Sequence, residues 1–292
     1  MMKRRKIWAG LSTAVLAATP AVSGAAALQT QPRMGIESKA DADLLHLAQH
    51  KGHGGEAAKA KPSTTAGGEG DEGGAGGAAE LEPSLHLYRG IEMMRGHLLV
   101  GGELIEAGRW ADALPHFLHP EEEIYASLRN DLKTFNIAPF QVALKSLSQT
   151  VKAKNKEAYG RARAALDERL AAAETAVRAK ETNGAYFTLE TILEVLQQAA
   201  DEYGEAFAKG RIVNVVEYQD ARGFVMEADR LAGTVMNEAA AKDADAAKAL
   251  RASLDELKAT FPSVTPPQQA VKDPGQFLSS VARFELQLGN LR

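Results

Sequence analysis

From residue 84 to the C terminus, apolar side chains recur at spacings of three, four and seven residues, the period of an α-helix. The first such stripe consists of Leu87, Ile91, Met94, Leu98 and Ile105. Alternation of apolar and polar residues, which would indicate β-strands, does not occur over a useful length. The pattern predicts an all-α domain over residues 84–292, built as an antiparallel helical bundle with short connections.

The first predicted helix carries a second stripe beside the first. This stripe consists of His86, Met93, His97, Val100 and Leu104. A helix with two apolar stripes is normally packed between two partners. The acidic residues Glu92, Glu103 and Glu106 fall on the remaining face together with Arg95, and we expect that face to be polar.

Two short segments follow the first helix. Residues 110–118 predict a short helix interrupted at Pro115, and His119-Pro120 begins another, with three glutamates after the proline. Proline at the first helical position needs no N–H partner, and acids there face the positive end of the helix dipole. Further along the chain, Asn214 and Glu217 have the spacing of a helix N-cap pair.

The chain before residue 84 has a different composition. Residues 1–26 combine a basic start, a short apolar run and small residues, which is the order of a secretory signal peptide. Residues 27–83 are poor in large apolar side chains and predict a low-complexity flexible tether. Its histidines, His46, His50 and His53, fit either a solvated stretch or a weak metal-binding tract.

The charge and the cysteine content of the chain exclude several classes of function. Removing residues 1–26, which hold four basic residues and no acid, changes the formal charge from −4 to −8. An acidic chain argues against a nucleic-acid partner. The absence of cysteine excludes disulfides, thiolate nucleophiles and zinc–thiolate sites. Without a second long apolar segment, we expect an exported, soluble periplasmic protein with no membrane insertion.

Histidines concentrated in one stretch are the best candidates for a metal site. The spacing of three between His116 and His119 can place both imidazoles on one side of a turn, and a helix reversal at Gly108 would bring His97 near. The predicted ligand set is His97, His116, His119, Glu122, Glu123 and Met93. Imidazole and carboxylate suit iron, zinc or copper, and a thioether suits copper. Alternatively, His119 caps a helix, His97 is a hydrogen-bonded core histidine and Met93 is core packing.

Sequence signatures of enzymes do not occur. Paired carboxylates such as Glu190 and Glu194 lie four residues apart, but a di-iron centre of the ferritin type also needs Glu-x-x-His, which is not in the chain. Neither a phosphate-binding glycine loop nor a Gly-x-Ser-x-Gly motif occurs. We therefore expect a protein that is not an enzyme and has no catalytic residues.

Two stretches resemble the extracytoplasmic helical segment of bacterial Ftr-type iron permeases. Residues 202–218, EYGEAFAKGRIVNVVEY, have its acidic-Tyr pair, its Gly-ended helix and its Asn-capped Glu-Tyr helix, and residues 261–267, FPSVTPP, are similar to its Pro-rich segment. The Arg-Glu-Gly-Leu-Glu motif of the permease's membrane helices is not present, so transport itself is not implied. A weaker resemblance is to imelysin-like proteins, because residues 119–122 supply His-x-x-Glu, although Phe117 replaces their glycine.

These observations predict a binding or accessory protein rather than a catalyst. The resemblance implies a periplasmic relative that handles iron, or serves a permease or another periplasmic partner. The alternative is a structural or protein-interaction module without metal. Iron is the preferred ligand, and zinc and copper remain open.

Overall fold

A computed structural model describes residues 81–292 of the 292-residue chain. The described residues all belong to one compact unit, residues 78–292. The predicted signal peptide over residues 1–26 lies outside the described residues. So does the predicted tether over residues 27–83, apart from its last three residues.

The described residues fold almost entirely into helices, which confirms the prediction of an all-α bundle. The helices are α1 (Pro83–Glu106), α2 (Trp110–His119), α3 (Tyr125–Thr134), α4 (Gln141–Lys152), α5 (Lys156–Arg178), α6 (Gly184–Ala206), α7 (Val215–Lys242), α8 (Ala244–Lys258) and α9 (Pro274–Leu288). A 3-10 turn, Gly289–Leu291, ends the chain. Between α6 and α7, the two-residue strands β1 (Phe207–Ala208) and β2 (Arg211–Ile212) pair antiparallel.

Side-chain caps begin the helices of the second half. The Asn183 side chain accepts a hydrogen bond from the Tyr186 amide at the start of α6, and the Asn214 side chain accepts one from the Val216 amide at the start of α7. Asp273 forms a full capping box with Gln276 at the start of α9. Each cap satisfies an amide that would otherwise have no partner, so the polar residue fixes where the helix begins.

The segment after α1 differs from its prediction. Pro115 does not interrupt α2, because losing one backbone N–H leaves the other turns of the helix intact. A π-helical turn, Pro120–Ile124, then links α2 directly to α3, and the His119 side chain makes no capping hydrogen bond there. The residues from Trp110 to Thr134 thus form one continuous helical path, and His119 faces the interior rather than the end of a helix.

The packing of the helices has two parts. Helices α6, α7, α8 and α9 form a closed four-helix arrangement, in which α6 packs on α7 and α9, and α8 packs on α7 and α9. Helix α1 lies against α6 and α7 on one side and against α2, α3 and α5 on the other. Both apolar stripes of α1 are buried except for the partly exposed His86, as two stripes predict.

The prediction of a polar face on α1 is partly wrong, because Glu92 on that face is fully buried. Helix α7 covers it, and Arg230 reaches both Glu92 at 3.1 Å and the buried Glu227 at 2.6 Å. Burial raises the pKa of Glu92 well above its usual range, and a hydrogen bond with Glu227 adds to the rise. The raised pKa favours the uncharged form of Glu92 at the interface of α1 and α7, where Arg230 also reaches it.

Two glycines allow α1 and α7 to approach closely. A Cβ atom on Gly223 would lie 2.4 Å from the Gly96 carbonyl oxygen, and one on Gly96 would lie 2.7 Å from the Phe224 ring. The backbones are therefore in direct contact at this level. His97 follows Gly96, and Asp220 lies one turn before Gly223 and Phe224, so this contact sets the distance between the two polar residues.

Candidate functional site

Three helices bring four buried polar side chains together. Helix α1 supplies His97, α2 supplies His116 and His119, and α7 supplies Asp220. Gly108 adopts a φ of 75° between α1 and α2, a left-handed conformation that glycine adopts without strain, and the chain reverses there. The reversal places α2 beside α1, and the glycine contact places α7 against the same part of α1.

The three imidazoles surround the carboxylate of Asp220. His97 Nδ1 and His116 Nδ1 each lie 2.7 Å from Asp220 Oδ1, and His119 Nδ1 lies 3.1 Å from Oδ2. Asp220 is 1% exposed, and His116 is 0% exposed. The rings of His97 and His119 meet edge to face, with centroids 5.4 Å apart. The cluster is thus a compact group of polar side chains enclosed by helices.

Burial and the neighbouring charges shift the pKa values of Asp220, His97 and His119 in different directions. Burial alone would raise the pKa of Asp220, but the charges of His97 and His116 and the hydrogen bonds of His116 and His119 hold it well below its usual range. Burial lowers the pKa of His97 and outweighs the effect of Asp220. At His119 burial is outweighed by Asp220, Glu123 and Glu217, and the pKa rises to about 9.

Three of these residues form a candidate donor set for a metal ion. One ligand atom each from His97, His119 and Asp220 lies within 4.8 Å of the other two. Two imidazole nitrogens and one carboxylate are donors that Fe²⁺, Zn²⁺ and Cu²⁺ accept. His116 is not in this set. The residues present therefore fit a transition-metal ion with three protein donors.

The other predicted ligands lie at different distances from the cluster. Glu123 is close enough for its charge to contribute to the raised pKa of His119, while burial and nearby carboxylates raise the pKa of Glu123 itself. Glu122 is exposed on the π-helical turn. Met93 lies one turn before His97 and packs in the hydrophobic core. The structure thus brings the three histidines together, with Glu123 at their edge.

Sequence reasoning missed Asp220, the residue at the centre of the cluster. Asp220 precedes Phe224 by four residues and Leu231 by eleven, so it continues an apolar stripe of α7. An acid in an apolar stripe is an unusual position, because a buried carboxylate needs partners. That position was the signal in the sequence, and histidines on other helices are the partners.

A second group of carboxylates lies beside the cluster. Glu202, Glu205 and Glu217 have oxygen atoms within 4.8 Å of one another. Burial, followed by the hydrogen bond and charge of Glu217 and the charge of Asp220, raises the pKa of Glu202 to about 10. Glu202 is therefore neutral near pH 7, and Glu217 connects this group electrostatically to His119.

Residues 178–291 match the family model described as the iron permease-associated 4-helix bundle domain. This confirms the resemblance to iron permeases, and the match covers α6, α7, α8 and α9. Asp220 lies inside the matched segment, whereas His97, His116 and His119 lie before it. Comparisons with curated proteins and with solved structures found no significant match.

The match supports an iron-related role and fits a permease as partner. Among residues 81–292, no helix combines the length and the apolar character needed to cross a membrane.

Proposed function

We propose that this protein is an exported accessory protein that binds Fe²⁺ as cargo and works with an iron permease. The observation that carries the proposal is the cluster of three histidines around the buried carboxylate of Asp220. Asp220 comes from the segment that matches the iron permease-associated domain, and the histidines come from the helices packed against it. The site is therefore built on the matched bundle rather than apart from it.

The metal is held by His97, His119 and Asp220. Three protein donors leave coordination positions on the ion for water. Zinc and copper accept the same donors, and the family match is the reason to place iron first. The role is binding and delivery, with no catalytic step assigned to these residues.

Export to the periplasm accounts for the composition of the first 26 residues. Their basic start, apolar run and small residues have the order of a signal peptide. We expect the exported protein to begin near residues 25–27, and N-terminal sequencing of the protein from the periplasmic fraction measures this. Recovery of periplasmic protein with Met1 intact would contradict the assignment.

Fe²⁺ titration under anaerobic conditions tests the binding site. The full chain with His46→Ala, His50→Ala and His53→Ala removes the histidines of the predicted tether from the measurement. In that background we expect His97→Ala and His119→Ala each to weaken Fe²⁺ binding by about 100-fold or more, because each removes a metal ligand. Loss of a residue that only hydrogen-bonds to a ligand costs about 10- to 100-fold. His86→Ala is the matched control, because His86 lies near the start of α1, away from the cluster, and pairs with Asp131 of α3.

Two results would overturn the metal proposal. One is the absence of Fe²⁺, Zn²⁺ and Cu²⁺ binding in the background chain. The other is binding that His97→Ala and His119→Ala weaken no more than His86→Ala does. Either would favour the structural or protein-interaction module, in which Asp220 and the histidines only satisfy one another's hydrogen bonds.

A further inference from the structure

The Gln219 side chain has a fixed orientation beside the cluster. Gln219 Nε2 donates a hydrogen bond of 3.0 Å to the Val264 carbonyl oxygen, and Gln219 Oε1 lies 2.9 Å from His116 Nε2. The reversed amide would place its oxygen against the Val264 carbonyl oxygen, and two acceptors repel each other. Gln219 Oε1 therefore accepts, and His116 Nε2 must donate.

The other nitrogen of His116 is also engaged. His116 Nδ1 lies 2.7 Å from Asp220 Oδ1, and a carboxylate oxygen accepts hydrogen bonds. An imidazole that donates from both nitrogens has no lone pair for a metal ion. His97 and His119 both belong to the donor set, which does not include His116.

We propose that His116 and Gln219 form a positioning arm that holds Asp220 in place for the metal, and that His116 is not a ligand. The inference rests on the proposed function, since it assigns roles within the same site. The arm runs from the Val264 carbonyl through Gln219 and His116 to Asp220 Oδ1. Hydrogen-bond partners of ligands orient them in many metal sites and strengthen binding.

The segment that follows α8 anchors the arm. Tyr218 donates a hydrogen bond to the Ser263 carbonyl oxygen, and Arg109 donates one to Thr265 Oγ1. These contacts fix the segment on both sides of Val264, so the acceptor of Gln219 is itself held. The Pro-rich segment, 261–267, thus reaches the metal site through one glutamine.

Counting the imidazoles bound to a metal tests the arm directly. In the full chain with His46→Ala, His50→Ala and His53→Ala, pulsed electron paramagnetic resonance of bound Cu²⁺ is expected to show two imidazole ligands. The variants His116→Asn and Gln219→Leu are expected to keep two imidazoles bound to Cu²⁺. Their Fe²⁺ affinity is expected to fall by about 10- to 100-fold, as it does when hydrogen-bond partners of metal ligands are removed. Gln219→Glu keeps the acceptor for His116 Nε2 but loses the donor to the Val264 carbonyl oxygen, so it is expected to restore only part of the affinity. His119→Ala leaves one imidazole.

The metal-free protein provides a second, independent measurement. Nitrogen NMR of the His116 ring is expected to show both nitrogens bonded to hydrogen, and Gln219→Leu is expected to change the signal of Nε2 in particular. If no metal binds, the proposed function fails. The spectrum still tests the arm in that case, because two protonated nitrogens on His116 support it and an unprotonated nitrogen rejects it.

Two outcomes would overturn the arm. One is the finding of three imidazoles bound to Cu²⁺ in the background chain and two in His116→Asn, which would show that His116 is a ligand. The other is an unprotonated nitrogen on His116 in the metal-free protein.

Discussion

Asp220→Asn is expected to lower the free energy of unfolding by about 3–5 kcal/mol, because it removes the charged partner of buried histidines. The carboxylate is 1% exposed and faces His97, His116 and His119. The amide has nearly the same size, so the loss reports charge and hydrogen bonding rather than a cavity. Urea denaturation followed by circular dichroism measures the change.

Asp131→Asn is the matched control for this variant. Asp131 also pairs with a histidine, but His86 is partly exposed, so the change is expected to cost no more than about 1 kcal/mol. Equal losses for the two variants would contradict the assignment of a charged, buried cluster around Asp220.

The pH dependence of the free energy of unfolding provides a further measure of how much the Asp220 carboxylate contributes to stability. The raised pKa of His119 contributes stability that is complete below about pH 6.5 and is lost as the pH rises through about 9. The lowered pKa of Asp220 contributes stability above about pH 4 that is lost as the pH falls below that value. The difference between the native chain and Asp220→Asn is therefore expected to be largest near pH 4–6.5 and to shrink towards pH 9. A difference that grows between pH 6.5 and pH 9 would contradict this account.

Phe224→Ala is expected to cost about 3–5 kcal/mol of stability and also to weaken Fe²⁺ binding. The Phe224 ring is fully buried and meets the His97 ring edge to face, with centroids 4.9 Å apart. Removing the ring leaves a cavity beside His97 and frees that imidazole to move. Denaturant unfolding and Fe²⁺ titration of the same preparation measure the two effects.

Phe284→Ala on α9 separates these two effects. Phe284 is also fully buried, so its loss of stability is expected to be similar, whereas Fe²⁺ affinity is expected to stay within about twofold of the native value. Equal losses of Fe²⁺ affinity in the two variants would mean that global stability, rather than the contact with His97, controls binding.

Much of the fold followed from local features of the sequence. Helical spacing predicted the bundle, and Asn214 begins α7 as its spacing from Glu217 predicted. These features act within one or two turns of backbone, so a single sequence contains enough information to predict them. The expected break at Pro115 was wrong, because proline removes only one backbone hydrogen bond and the other turns of α2 remain intact.

The candidate site was predictable only in part. The spacing of His116 and His119 and the glycine at position 108 predicted that the histidines approach one another, and the structure brings them together. Their roles as ligands remain predictions. Asp220 was not predicted, because it lies more than 100 residues from His116 and His119, and no local pattern links an acid on one helix to histidines on others.

The sequence by itself determined the helices, their caps and the concentration of histidines near the start of the domain. Only the tertiary structure decided which acid those histidines face, that Glu92 is buried, and that Gln219 occupies one nitrogen of His116. The physical reason is the close contact of α1 and α7 at Gly96 and Gly223. Helical period and caps are properties of neighbouring residues, whereas the contact that places His97 beside Asp220 depends on how two distant helices pack.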